Sequence, residues 1–413
     1  MTSERSTLVD QPTRGDGAAE EWVRSRMVSP EQRPRQTIKV LFFNEGNLGT
    51  HVLGHDRHAV AMRAGAAAVE HVELRHAELD PMRRLHIALA TRRIPRLAER
   101  NLDLTPLRWH VVQSLRARAA IDRELRAWPA DVVHIHSHAV SMALGATMRR
   151  VPVALSVDAT VADWWGMPAW RPSQPYAPLT ILPSRALERR ALSRAAVVLA
   201  CTRWAQRSIE RAAPRARVVE HHPGIDLELF RPAARRERER PRVLFVGGRF
   251  AEKGGQDLMA ALGNQLGRSV ELDLVTPVDV PGRPGVRLHR LGPSDPRLLD
   301  LIQQADVLCL PTYADSNPWA VLEAMACGTP VVSSDVGGIA DMLNRDEAGA
   351  IVAHGDRRAL RETLLALLSD PQRRERLGRR GREICEERFD SRVQFRRLAE
   401  HLERAIAEHQ RTA

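Results

Sequence analysis

Residues 307–334 read VLCLPTYADSNPWAVLEAMACGTPVVSS. The stretch begins and ends with short apolar runs of the length of a β-strand. Between them, Asn317 suits the N-cap of a helix, Pro318 its first position and Gly328 the C′ position beyond its end. We therefore predict a strand, a helix over 318–327 and a second strand, an order that indicates parallel strands in an α/β fold.

Similar apolar runs recur along the rest of the chain, and a loop and a helical pattern follow each of them. Most runs are continuous rather than alternating, which is typical of parallel strands covered by helices on both faces. The charged, proline-containing segment 231–241 (RPAARRERERP) interrupts the pattern and indicates a linker or an exposed turn. The chain therefore predicts two doubly wound, Rossmann-like domains with parallel sheets. The predicted strands are 38–43, 132–136, 151–157, 196–200, 218–220, 243–246, 270–275, 286–290, 307–310, 330–334 and 350–352.

The length of 413 residues is too great for one compact core and favours two domains of ordinary size. We expect a disordered tail at 1–35, a first domain at 36–223, a second at 224–388 and a final amphipathic helix at 389–413. The tail is polar and lacks the apolar core of a secretory signal. Because the sequence has no run of about 18 apolar residues, we expect a cytoplasmic protein without a membrane-spanning helix.

Arginine dominates the charge of the chain. The formal net charge is +11, and Lys39 and Lys253 are the only lysines among 62 basic residues. Because aromatic residues are few and do not alternate with basic ones, the charge does not predict binding of nucleic acid. The segment 82–100 (MRRLHIALATRRIPRLAER) fits either a solvated helix face, which the arginine bias favours, or peripheral contact with an anionic membrane.

The cysteines are far apart in the sequence and have no metal-ligand spacing. They predict buried thiols, and we expect no metal site. The four positions are Cys201, Cys309, Cys327 and Cys385.

The helix predicted at 318–327 is the first candidate for a binding site. In parallel sheets, ligands bind beyond the carboxyl ends of the strands, and the N–H groups that begin this helix suit a diphosphate there. Glu323 has mostly apolar helical neighbours, so we expect its carboxylate to be buried and to need a partner. That partner is either a set of sugar hydroxyl groups or a core arginine. The N–H groups concerned are those of Trp319, Ala320 and Val321.

A glycine-rich turn, GGRFAEKGG at 247–255, follows another predicted strand. Gly248 permits a close approach of the backbone to a ligand, and Arg249 and Lys253 supply two cations for a diphosphate. A plain α/β turn is the competing interpretation. The use of lysine at 253 in an arginine-biased chain favours a binding role.

These segments together resemble the retaining GT-B glycosyltransferases of family 4. The resemblance runs through PGIDLELF at 223–230, LFVGGRFAEKGG at 244–255 and DSNPWAVLEAMACGTPVVSSDVGGIADML at 315–343. It continues to the helix after Phe389, which the family packs against its first domain. The first half is similar only in the glycine-rich loop at 44–49 and in DVVHIHSH at 131–138.

The resemblance implies two domains that face a cleft and a nucleotide-sugar donor bound without a metal ion or other cofactor. Two acidic residues eight positions apart bracket the donor in this family, and they fall on Asp315 and Glu323. Position 315 lies by the transferred sugar and is usually glutamate in the family, whereas Glu323 binds the ribose hydroxyls. Arg249 and Lys253 hold the diphosphate. The helix start, with Asn317, Pro318, Trp319 and Ala320, completes the predicted donor site.

The first domain offers weaker candidates. Gly49 approaches the donor or forms a tight turn. Asp158 stands where the family often has a histidine near the reacting carbon, and it either binds the transferred sugar or caps a helix. His138 is a candidate for contact with the acceptor, and His51 either makes such a contact or is an exposed loop residue.

The reaction implied is transfer with retention, in which the leaving phosphate takes the proton of the attacking hydroxyl group. A nucleotide-sugar epimerase or sugar phosphate synthase of the same fold is an alternative enzyme. A non-catalytic partner or scaffold protein is the third possibility, which the aspartate at 315 and the segment LVTP at 274–277 favour. The sequence does not identify the acceptor.

Overall fold

Two six-stranded parallel sheets form the framework of the protein, with the strand orders β2-β1-β3-β4-β5-β6 and β12-β11-β10-β7-β8-β9. The structure, a computed structural model, describes residues 36–44, 54–100, 102–167, 169, 176–222 and 224–412. The first sheet contains β1 (Ile38–Asn44), β2 (Val72–Glu78), β3 (Val132–His136), β4 (Val153–Val157), β5 (Val197–Ala200) and β6 (Val218–Glu220). The second contains β7 (Arg242–Val246), β8 (Glu271–Val275), β9 (Val286–His289), β10 (Val307–Leu310), β11 (Val331–Ser334) and β12 (Gly349–Val352).

Helices connect the strands and cover both sheets. Those before β7 are α1 (Gly54–Ala66), α2 (Arg84–Thr91), α3 (Pro95–Ala98), α4 (Thr105–Ala127), α5 (Val161–Gly166), α6 (Ala177–Thr180), α7 (Leu182–Leu192) and α8 (Arg203–Ala212). Those after it are α9 (Gly255–Leu262), α10 (Pro296–Gln304), α11 (Trp319–Ala326), α12 (Ile339–Met342), α13 (Arg357–Leu368), α14 (Pro371–Arg388) and α15 (Ser391–Thr412). Short 3₁₀ turns lie at His138–Val140, Thr147–Arg149 and Gly263–Gln265.

The predicted α/β class and its eleven strands are confirmed, with strand ends that differ by at most two residues. The prediction missed β2, whose sequence VELRHAE alternates apolar and polar residues. Because β2 is an edge strand and its side chains are half-buried or exposed, it lacks the continuous apolar run of the central strands. The predicted tail at 1–35 lies outside the described residues.

The strand order of each sheet reverses at one point. In the second sheet the reversal separates β7 from β10, and in the first it separates β1 from β3. In open parallel sheets, a crevice forms beyond the carboxyl ends of the two strands at such a point. The topology therefore puts the turn after β7 and the loop after β10 at the edge of one crevice.

The helix α15 packs on the first sheet although it ends the chain. Its Phe395, Leu398 and Leu402 are buried with Val40 and Phe42 of β1. We call β1–β6 with their helices and α15 the first lobe, and β7–β12 with their helices the second lobe. The two chain crossings between the lobes pair with each other, because Ile225 N–H donates to the Phe389 carbonyl at 2.7 Å.

The segment 231–241, predicted as a linker or exposed turn, has no helix or strand, is mostly exposed and is hydrogen-bonded to the second lobe. The backbone N–H of Arg236 donates to Gln304 Oε1 at 3.0 Å, and Arg238 donates to the carbonyl of the same residue at 2.7 Å. Arg240 pairs with Glu271 at 3.1 Å. These hydrogen bonds and this ion pair of its arginines hold the segment beside α10 and β8.

The lobes touch where α8 meets α12. The backbone N–H of Trp204, in the first turn of α8, donates to Asp341 Oδ2 at 2.7 Å. Beside this bond, a Cβ atom at Gly338 would lie 2.5 Å from Thr202 Cγ2. The absence of a side chain at 338 therefore permits this approach.

We expect Leu402→Ala to lower the free energy of unfolding by about 2–5 kcal/mol, because it leaves a cavity between α15 and the first sheet. Urea denaturation followed by circular dichroism measures the change. Leu229→Ala, at a side chain that is 43% exposed in the second lobe, is the matched control and should change stability little. Equal losses in the two variants would contradict the packing of α15 on β1.

We expect Gly338→Ala to lower the free energy of unfolding by about 1–3 kcal/mol, because the new methyl group overlaps Thr202 across the lobes. Adding Thr202→Ser removes the nearest atom while keeping the hydroxyl that caps α8, and should restore part of the loss. Gly282→Ala, where a Cβ meets no atom within 4 Å, is the steric control. Full stability of Gly338→Ala alone would show that the lobes do not meet here.

Candidate active site

The turn after β7 packs directly against the loop after β10. Tyr313 N–H donates to the Glu252 carbonyl at 2.9 Å, and Lys253 N–H closes the turn on the Arg249 carbonyl at 2.9 Å. Gly254 has φ of 76°, and a Cβ there would clash with the Pro311 carbonyl oxygen. Only glycine fits this left-handed position without strain, so the close contact of the two loops depends on it.

Lys253 and Asp315 come together at this contact. The Lys253 ammonium donates to the Ala314 carbonyl at 3.0 Å and forms an ion pair with the Asp315 carboxylate. Their side chains are only 19% and 14% exposed. Arg249, in contrast, is 59% exposed and pairs with Glu252 at 3.1 Å. The predicted cations therefore differ: Lys253 is fixed in the crevice, whereas Arg249 lies at its rim.

The helix α11 begins one residue later than predicted. Pro318 is its N-cap with an extended ψ of 118°, and its carbonyl accepts the Val321 N–H at 3.1 Å. The predicted N-cap role of Asn317 is therefore wrong, because an N-cap residue has an extended backbone and Pro318 has it. Asn317 Oδ1 is instead buried and has no hydrogen-bond partner among the described residues. Gly328 has φ of 69° after the helix end, as predicted.

The start of α11 keeps two donors available. Among the described residues, no hydrogen bond engages the N–H groups of Trp319 and Ala320, whereas that of Val321 is bonded to Pro318. Glu323 lies one turn further along and is 3% exposed. A Cβ at Gly248 would meet no atom within 4 Å, so the glycine-rich turn also leaves open space. The site thus combines free N–H groups, a cation and a buried carboxylate.

Asp158 reaches this site from the first lobe. Ser316 Oγ donates to Asp158 Oδ2 at 2.7 Å, which links the loop after β4 to the loop after β10. The alternative that Asp158 caps a helix is wrong, because Thr160 caps α5 by accepting the Asp163 N–H. Asp158 therefore faces the second lobe.

A cluster of aromatic rings lines the first-lobe side. Trp319 lies 6.5 Å from His58 between ring centroids, and His58 stacks on His136 at 4.0 Å. The neighbouring His134 is fully buried and contacts Ser156 Oγ at 2.8 Å. Burial lowers the pKa of His134 and of His136 to about 3, so both rings are neutral at physiological pH.

His138 lies inside the first lobe, where its Nε2 is 3.1 Å from Glu188 Oε1 and its side chain is 5% exposed. Burial raises the pKa of Glu188, and the Val161 N–H donates to its Oε1 at 2.7 Å. The predicted contact of His138 with an acceptor stays a prediction. Gly49 and His51 lie outside the described residues.

Within the described part of the chain, no group of three or more histidine, cysteine, aspartate or glutamate residues is arranged to hold a metal ion. All four cysteines are buried. Burial raises the pKa of each thiol, to about 12 for Cys327. They are core thiols, as predicted.

The sequence analysis missed the residues that join the lobes. Ser316 lies inside the stretch that decided the fold, yet nothing local distinguishes it from a loop serine. His58 and Asp341 act through partners more than 75 residues away, Trp319 and Trp204 respectively. The paired glycines at 337 and 338 were a usable signal, because adjacent glycines often mark a close approach of two backbones.

Two family models match most of the chain. The model for glycosyltransferase family 4 matches residues 51–229, and the model for glycosyl transferases group 1 matches residues 286–384. The glycine-rich turn and Lys253 lie between the matched ranges.

Curated relatives and solved structures agree with these matches. A D-inositol 3-phosphate glycosyltransferase of Kribbella flavida is 33% identical over 193 residues, which are 40% of this chain and 46% of the relative. The chain thus spans less than half the length of this relative. Sucrose-phosphate synthase from Thermosynechococcus elongatus superposes with a TM-score of 0.69 at 20% identity, over 91% of this chain and 100% of the other. Anabaena HepE in complex with UDP superposes with a TM-score of 0.60 at 15% identity, over 89% and 100%.

The solved structures share the fold of this protein over about nine tenths of its length, and each of its two lobes contains the match to one family model. The protein belongs to the family 4 glycosyltransferases and has the GT-B fold.

Proposed function

We propose that the protein transfers a glycosyl group from a nucleoside diphosphate sugar to an acceptor hydroxyl group, with retention of the anomeric configuration. One observation carries the proposal. The two available N–H groups at the start of α11, the buried Glu323 and the ammonium of Lys253, which is bonded to the loop after β10, all lie in the segments that follow the carboxyl ends of β7 and β10. A diphosphate needs donors and a cation, and the hydroxyl groups beside it need a carboxylate.

The diphosphate binds at the start of α11. The helix N-terminus carries a partial positive charge, and the N–H groups of Trp319 and Ala320 donate to phosphate oxygens. Lys253 adds a full charge beside them, and Arg249 reaches in from the rim. These fixed donors stabilise the negative charge that grows on the leaving diphosphate.

The carboxylates orient the sugar side of the donor. Glu323 binds the ribose hydroxyls, and its burial strengthens those hydrogen bonds because water competes little. Asp315 lies by hydroxyl groups of the transferred sugar while its charge is balanced by Lys253. Asp158 approaches from the first lobe through Ser316, and this contact supports the proposal that a third carboxylate lies by the transferred sugar.

In the reaction, the bond between the anomeric carbon and the diphosphate oxygen breaks, and the acceptor oxygen bonds to the same face of the carbon. The acceptor proton passes to the departing phosphate oxygen. The contacts between the lobes exclude water from this centre and thereby limit hydrolysis of the donor. Neither step requires a nucleophilic side chain of the protein.

We expect one of UDP-, GDP-, ADP- or dTDP-linked sugars to raise the thermal stability of the protein. At about 100 times the dissociation constant, the ligand adds about 2.7 kcal/mol. Lys253→Ala should abolish the shift because it removes the diphosphate cation, and Glu323→Gln should reduce it because an amide is a weaker acceptor for the ribose hydroxyls than a carboxylate. Differential scanning fluorimetry measures it. Lys39→Ala, which removes the other lysine of the chain beside Trp128 in the first lobe, is the matched control and should keep the shift.

A folded protein that no nucleotide sugar stabilises would contradict the donor site and favour the non-catalytic alternative. Incubation with the identified donor alone separates transfer from epimerisation, because an epimerase produces a new nucleotide sugar without an acceptor. An acceptor screen should include inositol phosphates and sugar phosphates, since the names of a relative and of a structural neighbour point to phosphorylated acceptors.

We expect the first product to keep the anomeric configuration of the donor. With water as a slow surrogate acceptor, an α-linked donor should release the α-anomer of the free sugar before mutarotation. Proton NMR in the first minutes resolves the two anomers through their anomeric couplings. Initial release of the β-anomer would exclude the same-face mechanism while leaving the donor site intact.

A further inference from the structure

The first lobe displays apolar side chains on the helix α2 and the segment that follows it. Between residues 81 and 100, only Ala90 is buried. We call residues 81–100 the α2–α3 surface. Its exposed apolar side chains are Leu85 (67% exposed), Ile87 (46%), Leu89 (52%), Ile94 (48%) and Leu97 (40%).

The helix α2 directs part of its apolar side away from the protein. Ala90 marks the inward direction because it is fully buried. At about 100° per residue, Leu85 and Ala88 lie about 140° and 160° around the helix from Ala90. A surface helix of a globular protein normally turns its apolar stripe inward. Here Leu85 and Ala88 lie on the outward side together with Arg92, so the pattern is not explained by folding alone.

The orientation of α2 is fixed by the half-buried side chain of Arg108. The Arg108 guanidinium, on α4, donates to the Leu89 carbonyl at 3.1 Å and to the Arg92 carbonyl at 2.7 Å, at the end of α2. It also donates to the Asp103 carbonyl at 3.0 Å. These bonds satisfy helix-terminal carbonyls and hold α2 on α4, so the apolar side chains are displayed on a defined surface.

Cations surround these apolar side chains. Between residues 80 and 100 the chain has six arginines but only two acidic residues, Asp80 and Glu99. The six arginines are exposed, and no ion pair engages them among the described residues. They are Arg83, Arg84, Arg92, Arg93, Arg96 and Arg100.

The α2–α3 surface lies on the same edge of the first sheet as the crevice. Its helix α2 follows β2 after five residues, and α4 then leads back towards the start of β3. Both connections put it beyond the carboxyl ends of the strands. The α2–α3 surface therefore lies at the edge of the sheet where the crevice opens.

We infer that the α2–α3 surface docks on an anionic lipid bilayer. Arginines attract the anionic headgroups, while the leucine and isoleucine side chains enter the boundary between headgroups and acyl chains. None of the described helices is both long and apolar enough to cross a bilayer. The contact is thus a peripheral one, and it does not depend on the proposed glycosyl transfer.

The composition of the surface distinguishes this partner from a nucleic acid. Phosphate backbones are bound by arginine, lysine and polar side chains, and single strands also need aromatic rings for stacking. The α2–α3 surface has no aromatic ring of phenylalanine, tyrosine or tryptophan, and five large aliphatic side chains occupy it instead. Apolar insertion between charged contacts fits a lipid interface.

Co-sedimentation of the full chain with vesicles tests the inference. Vesicles of phosphatidylcholine alone are compared with vesicles that contain about one third phosphatidylglycerol, at low and high salt. We expect binding only to the anionic vesicles, weakened by salt because exposed charges are screened. The variant Arg92→Glu/Arg93→Glu should bind more than roughly 25-fold more weakly, since each charge near the surface contributes roughly fivefold. Leu85→Ser/Leu89→Ser should also reduce binding.

Matched variants in the second lobe control for charge and apolarity. Arg297→Glu/Arg358→Glu changes the net charge by the same amount at side chains that are 73% and 88% exposed. Leu229→Ser/Val278→Ser alters two other exposed apolar side chains. Both controls should bind vesicles like the wild type. Because all of these side chains are exposed, unchanged melting temperatures verify folding.

Three results would overturn the inference. The wild type fails to bind anionic vesicles, the α2–α3 variants bind as well as the wild type, or the second-lobe charge variant loses binding equally. Binding of duplex DNA that the α2–α3 variants abolish, without any vesicle binding, would reassign the surface to a polyanion and likewise reject the lipid partner.

Discussion

The hydrogen bond from Ser316 Oγ to Asp158 Oδ2 joins two sheets that share no strand, across 158 residues of sequence. The neighbouring residues between 315 and 319 contact other parts of the protein. Asp315 pairs with Lys253, and Trp319 reaches the ring of His58. Asn317 keeps a buried oxygen without a partner among the described residues. The short loop after β10 thus contacts Lys253 of the second lobe and Asp158 of the first lobe, and it leads into α11.

Three glycines make this arrangement sterically possible. Gly254 and Gly337 have positive φ, and a Cβ at either would collide with a backbone carbonyl, of Pro311 and of Asp315 respectively. Gly338 adopts an ordinary φ, but its missing side chain admits Thr202 of the first lobe. The loop after β10 is therefore enclosed by glycines from both sides. Larger residues at these three glycine positions would move Asp315 away from Lys253 or one lobe away from the other.

The fold was predictable where several local signals agreed. In 307–334 the apolar runs, the proline and Gly328 all indicate a strand, a helix and a strand, and the structure has them. The helix start was misplaced by one residue because proline fits both the N-cap and the first helical position. Only its ψ of 118° decides between them, and the loop that precedes it sets that angle.

The second-lobe part of the candidate site was more predictable than the rest because its sequence signals are local. A glycine-rich turn with a lysine and a helix start with an acidic residue one turn later are visible as short patterns. Contacts such as Ser316 with Asp158 depend on how two lobes meet, which no local pattern encodes. His138 lies in such a non-local contact as well, because the fold buries it against Glu188, while its predicted contact with an acceptor stays a prediction.

The charge in the crevice is divided between the lobes. The second lobe contributes the cations Lys253 and Arg249 and the free N–H groups of α11. The first lobe contributes the stacked rings of His136 and His58, and burial lowers the pKa of His136 to about 3 so that this ring carries no charge. Among the described residues, the cations thus lie on the second-lobe side, whereas the first-lobe side has neutral rings and the carboxylate of Asp158. In the proposed reaction, this division directs the diphosphate to the second lobe and leaves the first-lobe side for the acceptor.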